Sequence, residues 1–257
     1  MRGVNGALDQ YSGNGSRQSF VREIKMQNRV VVITGASSGI GAATAKRLAR
    51  SSRLFLVARR ADRLHEVAEQ IKAEGGIVHS AAIDLTQEGA EERVVKAALA
   101  AYAGIDVLIN NAGAFITNGL ADCDAQHVDH LFRLNVRSPM LLTRLALPHL
   151  IANGGGWVVN VSSVAAQQVF PSCGVYGATK AALEQWSAVI REELREQGVR
   201  VSVVAPGATH TEAWGDHPGT ARMARAEDVA GAIAYCLDQA PTASIDRLVV
   251  TPPGGVL

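Results

Sequence analysis

The sequence is short of the features that would announce its chemistry at once. Cysteine is scarce. Cys123, Cys173 and Cys236 are odd in number, scattered and free of C-x-x-C spacing. That argues against a disulfide framework and points to plain thiols in a reducing compartment. The seven histidines are dispersed rather than grouped with Cys or Asp at ligand spacing, so no metal site is expected. An excess of one charge is also missing, with 25 Lys+Arg against 24 Asp+Glu and a net charge of +1. Proteins that track a phosphate backbone carry a basic excess, so nucleic acid is not expected as a partner. No apolar run approaches the ~20 residues needed to cross a bilayer. The N-terminus lacks the apolar stretch of a secretory signal. A cytoplasmic protein with no membrane partner is the resulting expectation.

What is present is a chain of 257 residues, 47% hydrophobic, long enough for one large core. Residues 1 to about 19 are rich in Gly, Ser, Asn and Gln, and residues 1–28 read as a disordered or weakly ordered leader, with a helical turn or two over 20–27. From Arg29 the pattern alternates. Short β-branched runs recur at 30–34, 54–57, 77–81, 107–110, 157–161, 199–204 and 248–251, and stretches of helical period such as 42–50 and 64–74 lie between them. Continuous apolar runs suit strands buried on both faces. Alternation of strands and helices predicts a doubly wound parallel sheet of about seven strands with helices on both faces. No fixed-period repeat or internal linker interrupts residues 29–257, so a single α/β domain is expected.

The first strand runs straight into Thr34-Gly35-Ala36-Ser37-Ser38-Gly39-Ile40-Gly41, and a helical pattern follows. Glycines permit the tight turn and a close backbone approach to a ligand. The N–H groups of the new helix then favour a phosphate. The spacing is G-x-x-x-G-x-G, which departs from the G-x-G-x-x-G fingerprint. Its place after the first strand of an alternating chain still points to a Rossmann-type dinucleotide site. The second strand ends Ala58-Arg59-Arg60, with no carboxylate where an NAD site holds the ribose 2′-OH. Arginine there suits the 2′-phosphate of NADP. Asp62 reads as the N-cap of the next helix.

Tyr176 and Lys180 form a Y-x-x-x-K string, and Ser163 lies thirteen residues ahead of the tyrosine. On a helix, residues four apart share a face within roughly 6 Å. An ammonium there favours the ionised phenol. Bringing a tyrosine from ~10 to about 7 takes roughly 4 kcal/mol. A charge about 4 Å away supplies that only at an effective dielectric of about 20, so the pair needs shielding from bulk water.

Taken together, these strings resemble the short-chain dehydrogenase/reductase family over about residues 29–257. Thr34 to Gly41 match its T-G-x-x-x-G-x-G, and Asn110-Asn111-Ala112-Gly113 its N-N-A-G. Asp84-Leu85 match the position near the adenine, Asn135 the helix asparagine, and Pro206-Gly207 with Thr211 the turn after the sixth strand. The resemblance implies hydride transfer between a nicotinamide and a carbonyl or alcohol carbon. Asn135, Ser163, Tyr176 and Lys180 would be the catalytic residues. Tyr176 would be the proton donor, Ser163 a hydrogen-bond donor, Lys180 the group that lowers the phenol's pKa and holds the ribose, and Asn135 the support of a proton-feeding water. It also implies NADP(H) contacts from Gly35, Ser37, Ser38, Gly39, Ile40, Gly41, Arg59, Arg60, Asp84, Leu85, Asn111, Ala112, Gly113, Tyr176, Lys180, Pro206, Gly207, Thr209 and Thr211.

The family's substrate-lining stretches here offer Ala114, Phe115, Val164, Gln168, Val169, Phe170, Cys173, His210 and Trp214, a mostly apolar set that suits an apolar ketone, aldehyde or alcohol. The lid over 211–227 is short, and Gly215 and Gly219 mark it as mobile. The resemblance also implies a homo-oligomer, tetramer or dimer, paired through helices over 128–150 and 176–197, with Ala182, Trp186 and Val189 on one face. An NAD-linked alcohol dehydrogenase and a dinucleotide-binding regulator without catalysis are the alternatives. The arginines predict that NADPH binds better than NADH and that Arg59→Asp narrows the gap, as read by fluorescence titration. Equal affinity of the intact protein for both would count against the NADP assignment.

Overall fold

The computed structural model describes residues 28–215 and 219–255. The helical turn over 20–27, and all of the leader except Asn28, lie outside the described residues. Asn28 itself is held at the base of the sheet, its N–H donating to Ser51 O at 2.7 Å.

The chain alternates as the apolar pattern requires. β1 (Arg29–Thr34), α1 (Gly39–Leu48), β2 (Ser52–Ala58), α2 (Ala61–Ala73), β3 (Ile77–Ala82), α3 (Ala90–Tyr102) and β4 (Val107–Asn110) form the first half. α4 (Ala125–Phe132), α5 (Ser138–Ala152), β5 (Trp157–Val161), α6 (Gly174–Leu194), β6 (Arg200–Pro206), β7 (Thr209–His210), β8 (Ala224–Arg225), α7 (Ala226–Leu237) and β9 (Arg247–Val250) follow. Seven strands build one parallel sheet in the order β3-β2-β1-β4-β5-β6-β9, and β7 pairs with β8 apart from it. All seven runs read from the sequence are in that sheet. Their ends move by a residue or two. The sixth strand, for instance, runs on to Pro206.

Residues alternate across the central strands, whose two faces are both apolar and covered, while the edge strands β3 and β9 are partly exposed. Val31 and Ile33 of β1 face the core built with α1, α2 and α7 (Leu48, Leu64, Ile71, Ile233). Val32 faces the other, built with α3, α5 and α6 (Val94, Leu142, Leu150, Ile190). Burying such side chains on both sides contributes roughly 1.5–3 kcal/mol each and accounts for the parallel arrangement. At the amino ends of the strands, the guanidiniums of Arg29 and Arg200 lie over the Trp157 ring, 3.9 Å and 4.7 Å from its centroid.

The helix forecasts need one correction. Asp62 is not the N-cap of α2. That position belongs to Arg60, and Asp62 sits in the first turn, where its charge complements the helix N-terminus.

A buried amide network ties the sheet to the helices behind the carboxyl rim. Asn110 Nδ2 donates to Asn160 Oδ1 (2.8 Å) and Thr143 Oγ1 (3.2 Å), and Asn160 Nδ2 donates to Ser187 Oγ (2.8 Å). β4, β5, α5 and α6 are thereby held in one register, which places α6 over the ends of the central strands.

Candidate active site

The strand order reverses between β1 and β4, and the loops leaving their carboxyl ends are laced together there. Thr34 Oγ1 accepts from Asn111 N (3.0 Å) and Ala112 N (2.9 Å), while Asn111 Nδ2 donates to Thr34 O (2.9 Å) and Gly35 O (3.3 Å). Two glycines make this contact possible. Gly35 has φ +67°, a conformation that side chains resist. A Cβ on Gly41 would fall 2.3 Å from Gly35 O and 2.6 Å from Asn111 Nδ2. Ser38, in extended backbone, leads into α1 with no side-chain cap, so the first N–H groups of that helix are available to a ligand.

At the second strand's end the two arginines diverge. Arg59 lies near Asp84 and helps hold that carboxyl low. Burial pushes it up, but hydrogen bonds from Thr86, the charge of Arg59 and a hydrogen bond with Gln87 outweigh burial. Asp84 Oδ1 accepts from Thr86 N and Oγ1, closing a local turn. Arg60 folds back over the glycine loop. Its Nη2 donates to Ser38 Oγ (2.6 Å) and Ser37 Oγ (3.3 Å), and its Nη1 to Glu212 Oε2 (2.7 Å).

Across the rim, Ser163 stands in extended backbone after β5, where its Oγ accepts from Ala165 N. Tyr176 is in the first turn of α6, and Lys180 lies one turn on. Ser163 stands close enough to the Tyr176 phenol to pull its pKa down. Lys180 Nζ donates to Val161 O at 2.9 Å and lies 5.8 Å from the centre of the Tyr176 ring. Asn135 sits in a π turn, Arg133–Arg137, between α4 and α5, a distortion that recurs at functional sites. Both hydrogens of its amide and its oxygen are engaged. Oδ1 accepts from Ala114 N (2.9 Å), and Nδ2 donates to Ala114 O and Thr179 Oγ1 (both 3.1 Å). It therefore pins the loop after β4 to α6. A Cβ on Gly113 would lie 3.1 Å from Asn135 Oδ1 and 3.5 Å from Lys180 Nζ.

The electrostatics differ from the sequence expectation. Burial pushes Tyr176 up to about 12, against a downward pull from the Ser163 hydrogen bond, with Cys173 adding a smaller push upward. Lys180 is itself 5% exposed. Burial brings it down to about 8, with Glu184 pulling the other way. The shielding that would strengthen a lysine–phenolate attraction also strips water from both groups, and that loss is the larger effect.

Two contiguous spaces open along the rim. A cavity of about 580 Å³ takes in Ser163, Tyr176, Lys180, Pro206, Gly207 and Thr209. A groove of about 460 Å³ takes in Gly35, Ser37, Ser38, Gly39, Arg59, Arg60, Asp84, Leu85 and Ala112. Ile40, Asn111, Gly113 and Thr211 line both. Of the catalytic and cofactor residues nominated from sequence, Gly41 and Asn135 alone line neither. They stand behind the walls. Phe115, Val164, Phe170, Cys173 and Trp214 line the cavity as expected of a substrate wall, whereas Gln168, Val169 and His210 do not. Val169 is 95% exposed. Phe115 meets the Tyr176 ring edge-on at 5.0 Å and the Trp214 ring at 5.3 Å. Glu212, Thr179 and the Asn110–Asn160 pair escaped sequence reasoning. A lone lid carboxylate and a threonine beside a motif tyrosine carry no signal in one dimension.

A model of the short chain dehydrogenase family matches residues 29–220. The chain belongs to that family. It is an oxidoreductase that works with a nicotinamide dinucleotide, and the Gly35–Asn111 cradle beside the helix opening fits that group. It is 30% identical over 230 residues to an uncharacterised oxidoreductase of Staphylococcus epidermidis (89% of this chain, 99% of that one). It is 36% identical over 237 residues to sulfoacetaldehyde reductase 2 of Chromohalobacter salexigens (87% and 94%). Among solved structures, a metagenomic short-chain oxidoreductase in complex with NADP superposes with TM-score 0.79 at 35% identity (89% and 99%). A 7α-hydroxysteroid dehydrogenase complexed with NADH superposes with TM-score 0.83 at 27% identity (90% and 96%).

The buried lysine makes stability depend on pH. Lys180 folded titrates near about 8, against 10.5 when exposed. The unfolded chain therefore binds more protons between those values, and stability rises with pH across that window. Above about 10 the raised phenol reverses the slope, because the folded state then holds the extra proton. Urea unfolding is expected to show wild type gaining about 2 kcal/mol between pH 8 and 10, and Lys180→Met to flatten the gain. An unchanged slope in that variant would remove Lys180 as its source.

Proposed function

We propose that the chain is an NADP(H)-dependent oxidoreductase that reduces apolar carbonyl compounds, or runs the reverse oxidation, with Tyr176 as proton donor beside Ser163 and Lys180. One observation carries this. Ser163, Tyr176 and Lys180 converge on one cavity, and the groove joined to it ends in an arginine held against the two serines of the glycine loop. The nicotinamide, when bound, supplies or accepts the hydride at the carbonyl carbon.

The remaining chemistry falls to the chain. A carbonyl that gains a hydride becomes an alkoxide, and its oxygen needs hydrogen bonds and a proton. The Ser163 hydroxyl and the Tyr176 phenol line the same cavity, so both can donate to that oxygen. A phenol kept near about 12 is fully protonated at neutral pH. It is thus ready to give its proton to the much stronger alkoxide base, which favours the reductive direction. Lys180 is half protonated near pH 8. Its place beside Gly113 suits both re-protonation of the phenol and a hydrogen bond to the nicotinamide ribose. Asn135 holds the Ala114 loop against α6 and thereby fixes that lysine's surroundings.

The wall made by Phe115, Val164, Phe170 and Trp214 favours an apolar substrate. Lys180 is the one cationic side chain among the described lining residues. A carboxylate, sulfonate or phosphate substrate would find no counter-ion beyond that buried amine, which already donates to Val161 O, so the sulfoacetaldehyde of the Chromohalobacter enzyme is not carried over. We further propose a cytoplasmic homotetramer paired through the faces of α4–α5 and α6, where Phe132 and Val189 are 38% and 47% exposed. Light scattering showing a monomer would contradict that assembly.

Tyr176→Phe is expected to lower kcat by roughly 10²–10⁴-fold while leaving NADPH affinity largely unchanged. The measurements are steady-state rates on an aldehyde and ketone panel and fluorescence titration. A variant that keeps most of its activity would show that the phenol is not the proton donor.

A further inference from the structure

Arg60, Ser37 and Ser38 form a small anion nest at the far end of the groove, and it already holds an anion from the same chain. The Glu212 carboxylate takes the Arg60 Nη1 bond at 2.7 Å. It is held below its usual range first by that hydrogen bond, with burial opposing and the charges of Arg60 and Arg63 and a hydrogen bond with Ser38 assisting. Arg60 therefore links the two, donating to Ser38 Oγ through Nη2 and to Glu212 through Nη1. These are the donors a phosphate monoester would use.

Glu212 reaches the nest from the other side of the groove. It opens the single turn Glu212–Trp214 that follows Thr211, and Thr211 itself lies against the glycine loop. A Cβ on Gly39 would fall 3.0 Å from Thr211 Cγ2. The ion pair is consequently a strap from the lid to the end of β2, set directly over the ribose end of the cofactor groove.

We propose that Glu212 is a cofactor-specificity residue. It is an internal competitor for the anion nest that a 2′-phosphate must displace, and so it limits how strongly the enzyme prefers NADPH over NADH. The proposal rests on the NADP reading above. The strap is half exposed, 42% at Arg60 and 51% at Glu212, so its strength is that of a surface ion pair. The effect is correspondingly modest, and it is selective. NADH carries no group that needs the nest and feels little competition from the carboxylate, while NADPH must break the strap.

The test is a double-mutant cycle on the full chain: wild type, Glu212→Gln, Arg60→Ala and the double variant. Each is titrated with NADPH and with NADH by nucleotide fluorescence, with circular dichroism as a check on folding. Glu212→Gln is expected to tighten NADPH about two- to fivefold and to leave NADH unchanged. In the Arg60→Ala background the same substitution should have no effect. Raising the salt concentration should shrink the gain, because an exposed pair is screened. Weaker NADPH binding in Glu212→Gln, equal tightening of both nucleotides, or a gain that persists without Arg60 would overturn the competitor role. An NADPH/NADH ratio that does not move in Arg60→Ala would instead overturn the NADP reading, whatever Glu212→Gln does.

Discussion

The rim depends on the lacing of two loops where the strand order turns back. A parallel sheet leaves the carboxyl ends of β1 and β4 side by side with their connections departing in opposite directions. The Thr34 hydroxyl and the Asn111 amide close the gap, each bonding the backbone of the other's loop. Without that closure the glycine turn would have no floor, and the backbone groups at the opening of α1 would not be presented at a defined depth. The same lacing explains why the glycines at 35 and 41 stay bare. The space a methyl would need is filled by the asparagine.

On the opposite side of the cleft, the controlling quantity is water. Tyr176 and Lys180 share a pocket that strips hydration from both, and each moves toward its neutral form. A Coulomb argument made with the lysine alone omits the desolvation that comes with burial. In a site this enclosed the two cannot be separated. A phenol above its ordinary value stays protonated at neutral pH, and a lysine below its own can gain or lose a proton near pH 8.

The fold was legible because it is written in continuous apolar runs. Seven such runs became seven strands, and the two-sided burial they imply left few other architectures. Most nominated catalytic and cofactor residues line one rim, since they sit at the ends of strands or on one helix turn, where local spacing fixes direction. What sequence could not show were relations between distant segments that carry no pattern of their own. Glu212 meets Arg60 across 152 positions, and Asn110 meets Asn160 across fifty. Thr179, next to Lys180, looked like filler inside the Y-x-x-x-K string, yet it anchors Asn135. Asp62 was misplaced because a short acidic residue ahead of a helix resembles a cap, and only the backbone angles of Arg60 show where the helix begins.

The Arg29–Trp157–Arg200 stack lies at the amino ends of the strands, while every group assigned to cofactor or substrate lies at the carboxyl ends. The two rims can therefore drift independently. Replacements in the cationic stack would alter how hard the molecule is to melt without changing what it turns over, and replacements in the lid would retune selectivity without loosening the heel. A scaffold divided in this way can acquire a new specificity while its durability is being improved elsewhere, because neither set of changes has to pass through the other.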